Sequence, residues 1–198
     1  MSASRATDIP AFYADWFFNR LEKGYLTWRN PFNGKDSYVS MANTRFVVFW
    51  SKNPQPLITY LPILKDKGIG FYLQYTLNDY DAEQLEPGVP RLVERIDTFK
   101  RIVNEYVLGS VVWRFDPLLL TDKISPKLLL HRIAAIAEQL KGYTEKFVFS
   151  FADIAGYRSV ARNLRAAGIN YREWETEDML TFARRLATCA EAINLWRP

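Results

Sequence analysis

Polar side chains follow two apolar runs of the sequence, at points where buried strands would end. Arg114 and Asp116 alternate with Trp113 and Phe115, so an extended strand places the charged pair on one face and the aromatic pair on the other. Ser150 ends a second apolar run in the same way. A guanidinium offers parallel N–H donors that match two oxygens of a phosphate or a carboxylate. These residues therefore predict an anion-binding site.

Similar polar groups follow other expected elements. Arg29-Asn30-Pro31 and Lys52-Asn53-Pro54 each place a cation, an amide and a proline at an element end, and Arg5 precedes Asp8 near the N-terminus. In α/β folds ligands bind at the carboxyl ends of the strands, beside helix N-termini. We expect these groups to converge there with Asp153 into one pocket, in which no catalytic residue is assigned. The candidate ligand-binding residues are Arg5, Asp8, Arg29, Asn30, Lys52, Asn53, Gln74, Arg114, Asp116 and Ser150.

A purely structural alternative stays open for the same residues. Arg114 and Asp116 can form a buried ion pair, and Asp8, Asn53 and Asp153 can act only as helix caps, whose side-chain oxygens accept from backbone N–H groups. Capping alone accounts for the position of these three residues. For Arg114 the sequence favours ligand binding, because burying a guanidinium without a partner is costly.

Several chemistries are excluded by residue counts. His131 is the single histidine and lies within an expected helix, so one chain offers no serine–histidine triad and no multi-histidine metal site. Cys189 is the single cysteine, so it forms no internal disulfide and no cysteine-ligated cluster by itself. If the pocket carries out acid–base chemistry, an Asp, Glu, Lys or Tyr must do it.

The composition is that of a globular protein with a mild excess of basic residues. The net charge of +4 and the pI near 9.1 suit an anionic small molecule or a phosphate ester as partner. Nucleic acid is a weaker expectation, because no basic block stands out. The start of the chain lacks the apolar stretch of a signal peptide, and the strongest apolar run, 46–50, is too short to span a bilayer. We therefore expect a cytoplasmic protein with no membrane partner.

Apolar runs alternate with segments of helical periodicity. The helical segments begin at capping residues and carry apolar stripes, such as Phe12, Trp16 and Leu21 in the first and Tyr157, Val160 and Leu164 in a later one. The segment 24–41 is polar and turn-rich, and it predicts a hairpin around Asn33-Gly34. The predicted strands, which we expect to be covered on both faces, are 45–50, 70–75, 110–114 and 146–150.

A strand followed by a helix, repeated about five times, predicts an α/β fold with parallel strands. An open doubly wound sheet and a (β/α) barrel both satisfy this pattern, and polar residues at every strand end favour the barrel. A complete barrel typically needs about 250 residues. We therefore expect an incomplete TIM-type barrel forming a single domain, residues 1–198, because no linker divides the chain.

Six stretches together resemble one bacterial family, the domain of unknown function DUF1848. The resemblance extends from Ser2 to about Leu195 and is specific in combination. The stretches are Ser2–Tyr13, Arg29-Asn30-Pro31, Val48–Pro54, Gln74–Asn78, Val112–Pro117 and Tyr143–Lys146.

The resemblance implies a barrel related to radical S-adenosylmethionine enzymes. It implies that full-length relatives hold an iron–sulfur cluster in a cysteine-rich C-terminal stretch and use S-adenosylmethionine. This chain lacks that stretch, so it resembles a member shortened at the C-terminus, and no cofactor is expected in it. The expected function is that of such a barrel enzyme with an anion pocket and without its cluster. The alternative is a non-catalytic binding protein for a phosphorylated ligand or nucleic acid.

Overall fold

The computed structural model of the chain describes residues 1–3, 7–30 and 32–192. It divides into two compact units, Met1–Tyr75 and Thr76–Pro198, which we call the N-terminal and the C-terminal unit. Each unit contains helices and a pair of parallel strands. The prediction of an α/β fold with parallel strands is therefore confirmed. Within the described residues, no helix is both long and apolar enough to cross a membrane.

The N-terminal unit combines a parallel strand pair with an antiparallel hairpin. Its parallel strands are aligned from Phe46 opposite Gly70 to Ser51 opposite Tyr75. The hairpin confirms the prediction for segment 24–41, and Gly34 in its turn has a φ of 67°, which glycine adopts without steric cost. The elements are α1 (Ile9–Phe12), α2 (Ala14–Lys23), β1 (Tyr25–Arg29), β2 (Asp36–Ser40), β3 (Phe46–Ser51), a 3-10 helix (Gln55–Tyr60), α3 (Leu61–Asp66) and β4 (Gly70–Thr76).

The first helical segment is broken into two helices, so its predicted apolar stripe is only partly correct. Tyr13, at φ −139°, separates α1 from α2 and thereby changes the helical phase between them. Leu21 is buried as predicted, but Phe12 and Trp16 are exposed. The residues of α2 that enter the core are Ala14, Phe17, Phe18 and Leu21.

The C-terminal unit contains a strand–helix–strand unit, β5–α5–β7, whose two strands pair in parallel. Ser125 caps α5 by accepting from the Leu128 N–H at 3.2 Å. His131 is exposed on α5. The elements are α4 (Leu92–Glu105), β5 (Val111–Leu118), β6 (Leu120–Thr121), α5 (Pro126–Gln139), β7 (Phe147–Phe151), α6 (Arg158–Ala166), β8 (Tyr171–Arg172) and α7 (Thr176–Ala192).

The strands have the predicted positions, but their burial differs from the expectation of cover on both faces. In β3, Val47 and Phe49 are buried, whereas Phe46 is exposed and Val48 is half-buried. The side chains of β7 are all half-buried. The strands are therefore not covered on both faces along their whole length. β3 keeps the alternation of buried and more exposed residues that is typical of a strand with one open face.

Helix α6 begins later than predicted. Asp153 does not open it; its carboxylate accepts from the Gly156 N–H at 2.9 Å in a preceding turn, and the helix starts at Arg158. Leu164 is buried as predicted, but Tyr157 and Val160 are exposed, because only the last turn of the helix reaches the core.

Candidate functional site

Three predicted side chains form one hydrogen-bonded cluster in the C-terminal unit. Arg114 Nη2 donates to Asp116 Oδ2, and Ser150 Oγ donates to Asp116 Oδ1. Arg114 and Asp116 share a face of β5 because they are two residues apart, and the pairing of β5 with β7 brings Ser150 beside them. The Arg114 side chain is 14% exposed and that of Asp116 is 30% exposed. The cluster is therefore pre-assembled and reachable from solvent.

The backbone of Asp116 is held by a buried amide. Asn78 Oδ1 accepts from the Asp116 N–H at 2.9 Å, and Asn78 Nδ2 donates to the Asp116 carbonyl at 3.1 Å. The same amide nitrogen lies 3.2 Å from Glu86 Oε1, to which it donates. A reciprocal pair of this kind fixes the position of a backbone segment, so Asn78 positions the carboxylate of Asp116 indirectly.

A buried tyrosine fixes the residues that follow Asp116. The Tyr80 hydroxyl donates to the Pro117 carbonyl at 2.8 Å and accepts from the Leu119 N–H at 3.0 Å. Burial raises the pKa of this hydroxyl above its ordinary value. Strand β5 continues past Pro117 to Leu118, with a shift in register after Phe115.

Two buried arginines hold the acidic loop 79–86 that follows Asn78. The Arg95 side chain is 1% exposed, and its Nη2 donates to the Asn78 carbonyl at 2.9 Å and to Asp81 Oδ1 at 3.2 Å. Arg132 forms a two-pronged pair with Glu83, Nη1 to Oε2 at 3.0 Å and Nη2 to Oε1 at 2.8 Å. These ion pairs anchor the loop to α4 and α5.

The pKa of Arg132 and the pKa of the neighbouring Asp79 are both raised. Burial raises the pKa of the Asp79 carboxyl, and the Arg132 guanidinium, whose Nε is 3.8 Å from Asp79 Oδ2, opposes part of that rise. The hydrogen bond with Glu83 raises the pKa of Arg132 itself. Arg132 is therefore held as a cation, and it acts as a structural anchor.

Sequence reasoning missed Arg95 and Arg132, although the sequence contains a signal for both. Arg95 occupies the same helical stripe as Phe99 and Ile102, and Arg132 lies beside Ile133 and Ile136. A cation on an otherwise apolar stripe requires an acidic partner, and the loop between the preceding strand and α4 contains four carboxylates.

In the N-terminal unit, Asp8 serves backbone groups. Its Oδ1 accepts from the Ala11 N–H at 3.0 Å as the cap of α1, and its Oδ2 accepts from the Lys52 N–H at 2.8 Å. Asn53 Oδ1 accepts from the Gln55 N–H at 3.4 Å. Asp8 thus has the capping geometry that the structural alternative describes, whereas Asn53 forms a local turn before the 3-10 helix, whose N-cap residue is Pro54.

The remaining predicted residues of this unit lie in different settings. Arg29 is exposed on β1, where its Nε donates to the Gly34 carbonyl at 3.2 Å and is 3.4 Å from Asp36 Oδ1. Asn30 Oδ1 accepts from the Phe32 N–H at 2.9 Å in the hairpin turn, and Gln74 is buried on β4. Arg5 lies outside the described residues. The convergence of all ten side chains on one pocket stays a prediction.

An aromatic cavity of about 550 Å³ lies within the N-terminal unit. Its lining includes Tyr13, which lies between α1 and α2, Trp16 from α2, and Leu26 and Trp28 from β1. Such walls suit an apolar or aromatic group. Among the described residues, none that lines the cavity carries the guanidinium group that the sequence led us to expect for binding an anion.

The residues present do not fit an iron–sulfur cluster. Such clusters are held by several cysteine thiolates, and the 198 residues contain one cysteine. Over residues 1–3, 7–30 and 32–192, no group of three or more His, Cys, Asp or Glu side chains is arranged to hold a metal ion. No chemical step of this chain is therefore derived through a cluster.

Comparison with known proteins identifies one family. A family model described as "Domain of unknown function (DUF1848)" matches residues 1–196. No curated protein and no solved structure matches the chain.

Proposed function

The chain belongs to the DUF1848 family of domains of unknown function, and we propose that it binds a small anion, a phosphate ester or a carboxylate, at the Arg114 cluster. The observation that carries this proposal is the joining of Arg114, Asp116 and Ser150, from two strands, in one partly exposed hydrogen-bonded group. Asp116 lies two residues before the end of β5 and Ser150 one residue before the end of β7, so the cluster lies toward the edge of the strands at which α/β proteins bind ligands.

The roles of the three side chains follow from their hydrogen-bonding capacity. The guanidinium of Arg114 is the group that attracts an anion, because its planar fork matches two oxygens of a phosphate or a carboxylate. Asp116 holds that guanidinium in place, which lowers the entropy cost of binding. The Ser150 hydroxyl orients the second oxygen of Asp116 and can donate to an incoming oxygen in its place.

We also propose that the chain shares an ancestor with barrel enzymes that use S-adenosylmethionine. Two parallel strand–helix–strand units, β3 to β4 and β5 to β7, support a barrel-type origin. The activity that we propose for this chain is binding. A chemical reaction would require functional groups in addition to those of Arg114, Asp116 and Ser150. A crystal structure of the chain tests the barrel directly.

The binding proposal is tested by calorimetric titration with inorganic phosphate, a sugar phosphate and a dicarboxylate. We expect one of these to bind and Arg114→Lys, which keeps the charge but loses the fork, to weaken it by about tenfold. Arg114→Gln alone leaves the Asp116 carboxylate without its cation. The double variant Arg114→Gln/Asp116→Asn removes both charges together, so it is the variant without the Arg114 guanidinium that we expect to fold. Arg172→Gln, which removes an exposed guanidinium paired with Asp178 at 3.1 Å, is the matched control.

Two results would overturn the proposal. One is the absence of binding by any of the three anions to the folded wild-type protein at low salt. The other is binding that persists unchanged in the folded double variant.

A further inference from the structure

Helix α6 carries a stripe of arginines on one face. Arg158, Arg162 and Arg165 are four and three residues apart, so at 3.6 residues per turn they lie within an arc of about 60° and extend over about 10 Å. All three side chains belong to exposed residues. Leu164 is the residue of this helix that enters the core, and it lies on a different face. We call this set the α6 arginine stripe.

The positive charge of the stripe is not paired with a carboxylate of any described residue. Among the described residues none of the three arginines forms an ion pair, and Arg165 donates one hydrogen bond, to the Tyr171 hydroxyl at 3.3 Å. From 154 to 172 the sequence contains four arginines and no acidic residue. The fourth, Arg172, pairs with Asp178 at 3.1 Å and is not part of the stripe.

The acidic residues that border this segment are engaged elsewhere. Asp153 Oδ1 accepts from the Gly156 N–H at 2.9 Å. Glu173 accepts from the Ile154 N–H at 3.3 Å and from the Ala155 N–H at 2.9 Å. Both carboxylates therefore shape the turn before α6, and their hydrogen bonds are to backbone groups.

An exposed aromatic ring stands at the start of the stripe. Tyr157 is the N-terminal flanking residue of α6 and is 64% exposed. Tyr157 directly precedes Arg158, and proteins bind single-stranded nucleic acid by combining guanidinium groups, which contact phosphates, with exposed rings, on which a base stacks. An anionic membrane is less suited, because the helix lacks the wide apolar face that enters a bilayer.

We propose that the α6 arginine stripe, with Tyr157, binds the phosphate backbone of single-stranded nucleic acid. The stripe shares no residue with the Arg114 cluster, so this proposal is tested independently of the small-anion site. Its recognition is electrostatic and independent of base sequence, because phosphate contacts carry no base information and any base can stack on the ring of Tyr157.

The experiment uses the full chain and measures fluorescence anisotropy of labelled oligothymidylate and oligouridylate at several salt concentrations. The test variant is Arg158→Gln/Arg162→Gln/Arg165→Gln. The control is Arg101→Gln/Arg184→Gln/Arg185→Gln, which removes the same charge from exposed arginines of α4 and α7 in the same unit. Thermal melts verify that both fold.

We expect wild type and control to bind alike, and the stripe variant to bind at least about tenfold more weakly. Its plot of log affinity against log salt concentration should be shallower by about two, as three lost phosphate contacts require for a single strand. Arg114→Gln/Asp116→Asn should bind oligonucleotides as the wild type does.

Three outcomes would overturn the inference: no oligonucleotide binding by the wild type at low salt, equal losses in the stripe and control variants, or tighter binding to phosphatidylserine vesicles than to oligonucleotides. Equal affinity for the two oligonucleotides supports backbone recognition. A preference for RNA supports it too, provided that the stripe variant loses that preference.

Discussion

Asn78 and Asp116 hold each other through two reciprocal hydrogen bonds, although 37 residues separate them along the chain: the Asp116 N–H donates to Asn78 Oδ1 at 2.9 Å, and Asn78 Nδ2 donates to the Asp116 carbonyl at 3.1 Å. Asn78 is fully buried, so neither bond is exchanged for water. The backbone of Asp116, whose carboxylate pairs with Arg114, is therefore positioned by Asn78.

The first prediction concerns this amide. Asn78→Ala should lower the free energy of unfolding by about 2–4 kcal/mol, because it leaves a buried N–H and a buried carbonyl unpaired. It should also weaken anion binding at Arg114, because Asp116 is no longer held. Urea denaturation and calorimetry measure the two effects. Asn104→Ala on the exposed face of α4 is the control, and equal stability losses in both variants would contradict the assignment.

The second prediction concerns the buried cation of α4. Arg95→Ala should destabilise the fold by about 3–5 kcal/mol, because it removes the partner of Asp81 and of the Asn78 carbonyl from a water-free position. Arg101→Ala, an exposed residue whose Nε is 4.0 Å from Glu105, should change stability by less than about 0.5 kcal/mol. A loss below about 1 kcal/mol for Arg95→Ala would show that the loop does not depend on it.

The Arg114 cluster illustrates what the sequence can predict. Strand alternation alone places Arg114 and Asp116 on one face, and the polar residue that ends the next parallel strand lies at the same edge. Those rules depend on local geometry, which the sequence expresses directly. The barrel, in contrast, depends on the arrangement of all strands and cannot be read from alternation.

Arg95 and Asn78 illustrate what sequence reasoning missed. Each is polar at a buried position, and its partner lies in another element, so periodicity alone assigns it no role. Similarly, the break at Tyr13 changed which face of the first helices is buried, because a single non-helical residue shifts the phase of everything after it. Errors of this kind come from tertiary context and not from helix or strand propensity.

The third prediction concerns Tyr80 at alkaline pH. Its pKa is raised by burial, so as pH rises above 10.0, the ordinary value, the unfolded chain loses this proton while the folded chain keeps it. The free energy of unfolding then falls by up to about 1.4 kcal/mol per pH unit. Tyr80→Phe lacks the hydroxyl and should be less stable than wild type near neutral pH, because the Leu119 N–H loses its acceptor.

The stability difference between wild type and Tyr80→Phe should therefore narrow between about pH 9 and about pH 11. Urea denaturation at each pH measures it, with Tyr25→Phe on the exposed hairpin as control. A difference that stays constant across this range would mean that the Tyr80 proton is not retained by the folded state.

The last prediction separates capping from ligand binding at Asp8. Its two oxygens accept from two backbone groups, Ala11 N–H in α1 and Lys52 N–H at the end of β3. Asp8→Ala loses both bonds and should cost about 2–4 kcal/mol, the sum of a cap and a hydrogen bond to a charged acceptor. Asp8→Asn retains one acceptor oxygen and should cost roughly half as much. Asp66→Ala, at an exposed position of α3, should be near neutral.

If Asp8 is only a structural cap, both Asp8 variants bind the anion that wild type binds, with unchanged affinity under conditions where they are folded. A variant that keeps its stability yet loses the anion would contradict a role for Asp8 as a cap alone, since a cap cannot affect binding without affecting the backbone that it holds.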